Sequence, residues 1–398
     1  MIETPTSNRL HIILMGRRNS GKSSLVNALT GQQVAIVSEV AGTTTDPVFK
    51  TMEVHGIGPC VFIDTAGIDD EGKLGARRVE STMKALQRAD IALLVCEAGQ
   101  GDLLASWSSK LKEMNIPMIP VLNKSDLLDD ATTVATSMQR QCGLRPIIVS
   151  AKLKQGIENV RQAIIEALPE EYDAPSITGD LVKDGDLVLL VMPQDIQAPR
   201  GRLILPQVQT LRELLEKKCM VMCCTTDRLA ETLKSLSCEP HLIITDSQVF
   251  NTVNELKPAK SMLTSFSVLF AACKGDIDYY TKSAEMIGRL SVDSRVLIAE
   301  ACTHVPISED IGRVKIPRML RKRIGESLKI DVVSGNDFPA DLSPYDLIIQ
   351  CGACMFNRKY VLNRIEQARR QGVPMTNYGI TMAWINGISP VFPQRGEG

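Results

Sequence analysis

The sequence predicts an α/β protein of three domains, and three observations carry the prediction. Over residues 10–168 short apolar runs alternate with helical patterns, as expected of a mostly parallel sheet covered by helices on both faces. Residues 169–176, PEEYDAPS, then break the alternation with proline, acid and serine, the composition of an exposed linker. Beyond it two more strand and helix series follow, within a chain of 398 residues that is too long for one ordinary core. The expected domains are 1–170, 171–260 and 261–398.

In the first domain strands are expected at 10–15, 48–54, 61–64, 91–96, 116–122 and 147–149. The second carries strands at 186–192, 220–225 and 242–245, separated by helices at 207–218 and 228–236. No glycine-rich phosphate fingerprint follows its first strand, so it reads as a structural or dimerising module; small parallel sheets often cover an edge with a copy of themselves. The third opens with helical stretches over 261–290. Strands at 295–299, 330–333 and 346–349 follow, with a basic helix at 311–324, a helix at 357–370 and a last strand near 373.

Composition narrows the class. An apolar fraction of 44% and a charged fraction of 23% are those of a globular protein, and no run approaches the ~20 apolar residues of a membrane helix. The run 12–15 is too short for a signal peptide and leads into a glycine-rich turn, so a cytoplasmic location is expected, with no membrane partner. A net charge of -1 offers no global attraction for nucleic acid. Eleven cysteines in such a chain argue for reduced thiols. Cys60, Cys96, Cys219, Cys223, Cys224 and Cys273 lie in apolar runs and read as small buried hydrophobes; Cys142 and Cys238, beside turns, carry no evident role.

Residues 16–23, GRRNSGKS, fit the pattern G-x-x-x-x-G-K-S between a strand and a helix. Backbone N–H groups freed by Gly16 and Gly21 can wrap phosphates, Lys22 can reach the outer ones, and the Ser23 hydroxyl can ligate magnesium, with Asn19, Ser20 and Ser24 alongside. Asp64 in DTAG is expected in the metal's second shell, and Gly67 is expected to give its amide to the terminal phosphate. In NKSD, with Asn123 and Lys124, the Asp126 carboxylate can accept from both N1–H and the N2 amine of guanine. Adenine offers no such pair, so the nucleotide is expected to be GTP. Ser150, Ala151 and Lys152 complete the base pocket. The loop 42–46 is the expected first switch, with Thr44 as magnesium ligand and Thr45 as the alternative. Lys22, Thr44, Asp64 and Gly67 are therefore the expected catalytic set.

Near the other end, Cys302 follows one strand, and Cys351 and Cys354 follow another. Loops at the carboxyl ends of strands in open α/β sheets converge on one crevice, so the three thiols can meet. Three thiolates suit an iron–sulfur cubane with one iron left for another ligand, for which His304 and Glu300 are candidates. Zinc held by three cysteines and His304, or a dithiol pair Cys351/Cys354, are the alternatives. Arg313, Lys315, Arg318, Arg321, Lys322 and Arg323 form a basic segment read as a solvated helix face, or else as a surface for an anionic cluster or an acidic partner.

The five nucleotide motifs resemble the TrmE-Era-like branch of GTPases. Asn19 stands where that branch has its potassium-ligating asparagine, and Ile68 stands where many small GTPases have a water-orienting glutamine. With a middle module, C-x-H at 302–304 and C-x-x-C at 351–354, the whole chain resembles the FeFe-hydrogenase maturation GTPases. The usual second motif of that family is H-C-x-x-C, and Gln350 replaces its histidine. The resemblance implies a scaffold that hydrolyses GTP with Mg2+ and K+ and carries a 4Fe-4S cluster. Such a scaffold receives a diiron precursor from radical SAM enzymes and delivers it to apo FeFe-hydrogenase, working as a homodimer or larger homo-oligomer. A GTP-regulated redox protein and an RNA-modification GTPase are the competing readings. The latter is disfavoured because the C-terminal part carries no KH-type G-x-x-G basic module.

Overall fold

The computed structural model describes residues 9–31, 47–54, 57–65, 73–168, 176–193, 203–301, 311–335, 337–353 and 356–394. Contacts divide the chain into two compact units, 1–173 and 174–398. The fold is α/β throughout, as the sequence predicts.

The N-terminal unit runs β1 (Leu10–Met15), α1 (Lys22–Thr30), β2 (Val48–Val54), β3 (Gly58–Asp64), α2 (Lys73–Leu86), β4 (Ile91–Cys96) and α3 (Gly101–Glu113). It ends with β5 (Met118–Leu122), α4 (Ala131–Cys142), β6 (Ile147–Ile148) and α5 (Ile157–Glu166). Six strands order as β2-β3-β1-β4-β5-β6, parallel except for β2, which runs antiparallel to β3. Both β1 and β4 are buried along their whole length, as unbroken apolar runs demand when helices cover both faces. Leu10, Ile12 and Leu14 join one core with Leu25 and Val160; Ile13 and Met15 join another with Leu104 and Trp107.

The C-terminal unit contains two parallel sheets of four strands. The first comprises β7 (Leu187–Val191), α6 (Leu205–Glu216), β8 (Met220–Cys224), α7 (Leu229–Ser235), β9 (Leu242–Thr245), α8 (Phe250–Leu256), β10 (Met262–Ser265) and α9 (Phe266–Lys274), in the order β10-β9-β7-β8. The second comprises α10 (Ile277–Ala284), β11 (Arg295–Glu300), α11 (Ile316–Ile324), β12 (Lys329–Ser334), β13 (Leu347–Gln350), α12 (Arg358–Arg370), β14 (Met375–Asn377) and α13 (Tyr378–Ile385), in the order β12-β11-β13-β14. One apolar core serves both sheets, joining Leu189 and Ile243 to Ile298, Ile348 and Ile380.

Several sequence expectations need correcting here. Residues 262–265 form a strand paired with β9, where a helical start was expected; the helix begins only after Ser265, whose side chain accepts from Val268 N–H as an N-cap. Cys223 is exposed and Cys224 half-buried, because β8 is an edge strand; Cys60, Cys96, Cys219 and Cys273 are buried as expected. The basic segment is not one solvated face. Arg313 is half-buried and pairs with Glu300, Lys315 donates to Gln248, and Arg318, Lys322 and Arg323 are exposed, Arg323 lying over the Trp384 ring.

Candidate nucleotide and sulfur sites

The nucleotide site is built on the carboxyl ends of β1, β3, β4 and β5. Gly16 has φ of 148° and Gly21 of 88°; a Cβ at Gly16 would lie 2.2 Å from the Val95 carbonyl oxygen, and one at Gly21 would lie 2.1 Å from Asn123 Nδ2. Glycine at these positions is therefore a steric requirement. Asn19 adopts a left-handed φ of 63°, and Lys22 arches over the loop, donating to the carbonyls of Gly16 at 3.0 Å and Arg17 at 2.9 Å.

Asn123 ties this loop to the base pocket. Its Nδ2 donates to the Ser20 carbonyl at 2.9 Å and its Oδ1 accepts from Ala151 N–H at 3.0 Å. Ser150 donates its hydroxyl to Asp126 Oδ1 at 2.6 Å, and this bond holds the Asp126 carboxyl below the usual range, ready as an anionic double acceptor. Lys124 has a left-handed φ of 60° and pairs with Glu97 at 2.7 Å, a partner that no sequence motif marked. Lys152 is exposed, Ser24 is exposed and Ser23 half-buried.

Asp64 ends β3. Burial pushes its carboxyl above the usual range, and the Lys22 and Lys50 ammoniums pull it back in part. Asp64 Oδ1 and Ser20 Oγ are buried without a hydrogen-bond partner among the described residues. Orphaned oxygens beside a phosphate loop fit a hydrated magnesium and phosphate groups. Thr44, Thr45, Gly67 and Ile68 lie outside the described residues.

The second site gathers at the carboxyl ends of β11 and β13, adjacent parallel strands in which Ala299 pairs with Gln350. Cys351 N–H donates to the Ala299 carbonyl at 3.0 Å, and Ala301 N–H donates to Cys351 Sγ at 3.0 Å. The residue immediately before Cys302 thus touches the Cys351 sulfur. A backbone N–H aimed at a cysteine sulfur is a contact that sulfur ligands of iron–sulfur groups commonly accept, and the described part of this site, Cys351 Sγ with the Ala301 amide, is compatible with one. Cys302, His304 and Cys354 lie outside the described residues, and no group of three metal-ligating side chains occurs among those described.

Glu300, the last residue of β11, spends Oε2 on neighbours. It accepts from Arg313 Nη2 at 2.8 Å and Nε at 3.1 Å and from Ser334 Oγ at 2.9 Å. Gln350 is 1% exposed, and its Oε1 has no partner among the described residues. Alternation of short strands and helices predicted the crevice, but nothing in the sequence marked the Arg313–Glu300 pair or the Ala301 amide.

Comparison with known proteins covers most of the chain. Residues 11–124 match a model described as 50S ribosome-binding GTPase, residues 177–275 the hydrogen maturase F dimerization domain, and residues 278–391 the hydrogen maturase F tetramerization domain. The tRNA modification GTPase MnmE of Chromobacterium violaceum is 36% identical over 165 residues, 40% of this chain and 35% of that protein. MnmE of Dechloromonas aromatica is 39% identical over 166 residues, 39% of this chain and 34% of that protein. GTPase Der of Wolinella succinogenes is 45% identical over 130 residues, 31% of this chain and 27% of that protein. The chain spans about a third of the length of the curated MnmE relatives it matches. A GTPase domain followed by both of these dedicated oligomerization domains places the chain in the hydrogen maturase F family.

Proposed function

We propose that this protein hydrolyses GTP and serves as a carrier in FeFe-hydrogenase maturation. In this reading it holds a 4Fe-4S cluster on Cys302, Cys351 and Cys354, receives a diiron precursor as cargo, and delivers it to apo FeFe-hydrogenase. Radical SAM maturation enzymes supply the cargo, and the work is done in the cytoplasm. The observation that carries the reading is the 3.0 Å bond from Ala301 N–H to Cys351 Sγ, because it joins the two cysteine-bearing segments at the sulfur itself. The bound cluster would supply an iron with an exchangeable coordination position. His304 and Glu300 remain the chain's own candidates for that position, and the Arg313 pairing of Glu300 favours His304 or an external ligand.

In the nucleotide site Lys22 and the loop amides bind the phosphates, Ser23 and Thr44 hold Mg2+, and Asp64 orients its water shell. Asn19 holds K+ against the phosphates, taking the place of a missing positive group, since Ile68 cannot orient water. Gly67 gives its amide to the terminal phosphate. Hydrolysis relaxes the switch loops and times cargo transfer.

Oligomerization supports the carrier reading, and β8 is the edge we assign to the dimer. Met220 is 56% exposed and Met222 39%, an apolar edge of the kind that pairs with another strand. Residues 1–170, 177–275 and 278–391 divide this labour between switch, dimer and cluster, with β10 and α9 on the dimer side.

The test is anaerobic reconstitution of the full chain with iron and sulfide, loading with a diiron complex, and incubation with apo-hydrogenase. Hydrogen evolution is expected. Failure with an intact cluster would favour a redox role.

A further inference from the structure

Lys274 is the last residue of α9 and is only 6% exposed. Its Nζ donates to the carbonyls of Ala353 at 3.2 Å and Phe356 at 2.9 Å, and it lies 5.6 Å from the centre of the Phe270 ring. Those two carbonyls flank Cys354 in the sequence, and Ala353 O also accepts Phe356 N–H at 3.0 Å. Ala353, 1% exposed, has φ of 46°, a left-handed conformation that costs an alanine roughly 1–2 kcal/mol. Something outside the turn must hold it. One ammonium gripping both carbonyls does so, and Arg358 Nε adds a second tie by donating to the Cys273 carbonyl at 3.2 Å.

A neutral donor would hold the same turn at less desolvation cost, since an ammonium is far harder to take out of water than an amide. What the ammonium adds is charge behind a loop that presents the Cys351 sulfur. An iron–sulfur group on three thiolates carries net negative charge, which a buried cation nearby stabilises, most of all in the reduced state.

We propose that Lys274 is the positioning residue of the loop that follows Cys351, holding the Ala353 and Phe356 carbonyls and setting a buried positive charge behind the iron–sulfur group. This rests on the cluster reading above. Lys274 lies in the segment matching the dimerization domain and the loop in the segment matching the tetramerization domain, so the residue binds the two modules through the cluster loop.

The experiment uses the full chain reconstituted anaerobically with ferrous iron and sulfide, as wild type, Lys274→Met, Lys274→Gln and Lys274→Arg. Redox titration followed by EPR and iron release to a chelator are the readouts, with GTP turnover and thermal melting alongside. In Lys274→Met the reduced-to-oxidised ratio at fixed potential is expected to fall about tenfold, about 59 mV for a one-electron couple. Iron release is expected to rise about tenfold. Lys274→Gln, still a donor, should restore the release rate while its potential stays low, and Lys274→Arg should restore the potential. GTP turnover should not move. Wild-type potential and release rate in both neutral variants overturn the proposal. Should Lys274→Met not fold, Lys274→Gln decides: an unshifted potential there rejects the charge. A wild-type chain that takes up no more iron than Cys351→Ala sinks the cluster reading itself, a result separate from any difference among the Lys274 variants.

Discussion

The nucleotide site and the sulfur site are built in opposite ways. In the first, Asn123 touches both the phosphate loop and the base-pocket segment, so short contiguous motifs are knitted together mainly by side chains that are themselves part of the motifs, Glu97 beside Lys124 being the exception. In the second, the Cys351 sulfur meets a backbone amide on β11, its loop is held by a lysine from α9, and the neighbouring carboxylate by an arginine before α11. A site whose supports lie inside its own motifs can be carried whole from protein to protein. One whose supports are scattered depends on the particular fold around it.

The largest test of this contrast is a double dissociation. Lys22→Ala is expected to lower GTP turnover by at least ~100-fold, as loss of a preorganised charge on phosphate does, while iron content after reconstitution stays at the wild-type level. Cys351→Ala should reduce iron to background and leave GTP turnover unchanged. If either variant disables both functions, the sites are not separate.

Next in size is Asp126→Asn. The amide loses one acceptor position and gains a donor facing the guanine N2 amine, at a cost of about 3 kcal/mol or ~100-fold in GTP affinity. Xanthosine triphosphate, with a carbonyl in place of that amine, should then outcompete GTP in a displacement assay. The depressed carboxyl has a pH consequence. Its lowered value keeps the acceptor ionised in the ordinary carboxylate range, so GTP affinity should hold constant as pH falls through that range and decline only below it.

The contrast also explains what was legible in the sequence. Strand positions and the phosphate loop were read almost residue by residue, because buried parallel strands leave unbroken apolar runs and the loop glycines answer steric demands from Val95 and Asn123. The three-domain α/β class was equally legible. The strand at 262–265 was not, since MLTS is too short to show a period and runs straight into a capped helix. Cys223 and Cys224 were misread because an edge strand and a central strand carry the same apolar letters until the sheet order is known. Lys274, Arg313 and the Ala301 amide were invisible for a related reason. Their function is set by contacts across 79, 13 and 50 residues of chain, and no local pattern encodes such contacts.

A smaller effect is expected from the monovalent ion. Asn19 adopts a left-handed conformation within the phosphate loop, and Ile68 offers no polar group to orient water, so replacing Na+ by K+ should raise turnover about tenfold, about 1.4 kcal/mol of barrier. Asn19→Ala should remove the difference. Equal turnover in the two salts for the wild type would remove this role for Asn19 and return it to a turn residue.

The smallest expected effect tests whether a carboxylate next to the cysteines belongs to the metal or to the fold. Glu300 is one residue from Ala301, close enough in sequence to serve as an iron ligand, yet its Oε2 accepts from Arg313 twice and from Ser334. Binding iron through that oxygen would break three hydrogen bonds to the carboxylate, two of them from the Arg313 guanidinium, and would part an ion pair. Glu300→Gln should therefore leave iron content and the EPR spectrum of the reconstituted chain unchanged. It should lower the stability of the C-terminal unit by about 1 kcal/mol, because the amide still accepts from Ser334 and the partly exposed Arg313 can turn to water. A changed spectrum with unchanged melting would transfer Glu300 to the metal. It would also make the sulfur site more like the nucleotide site, with a support that doubles as a ligand.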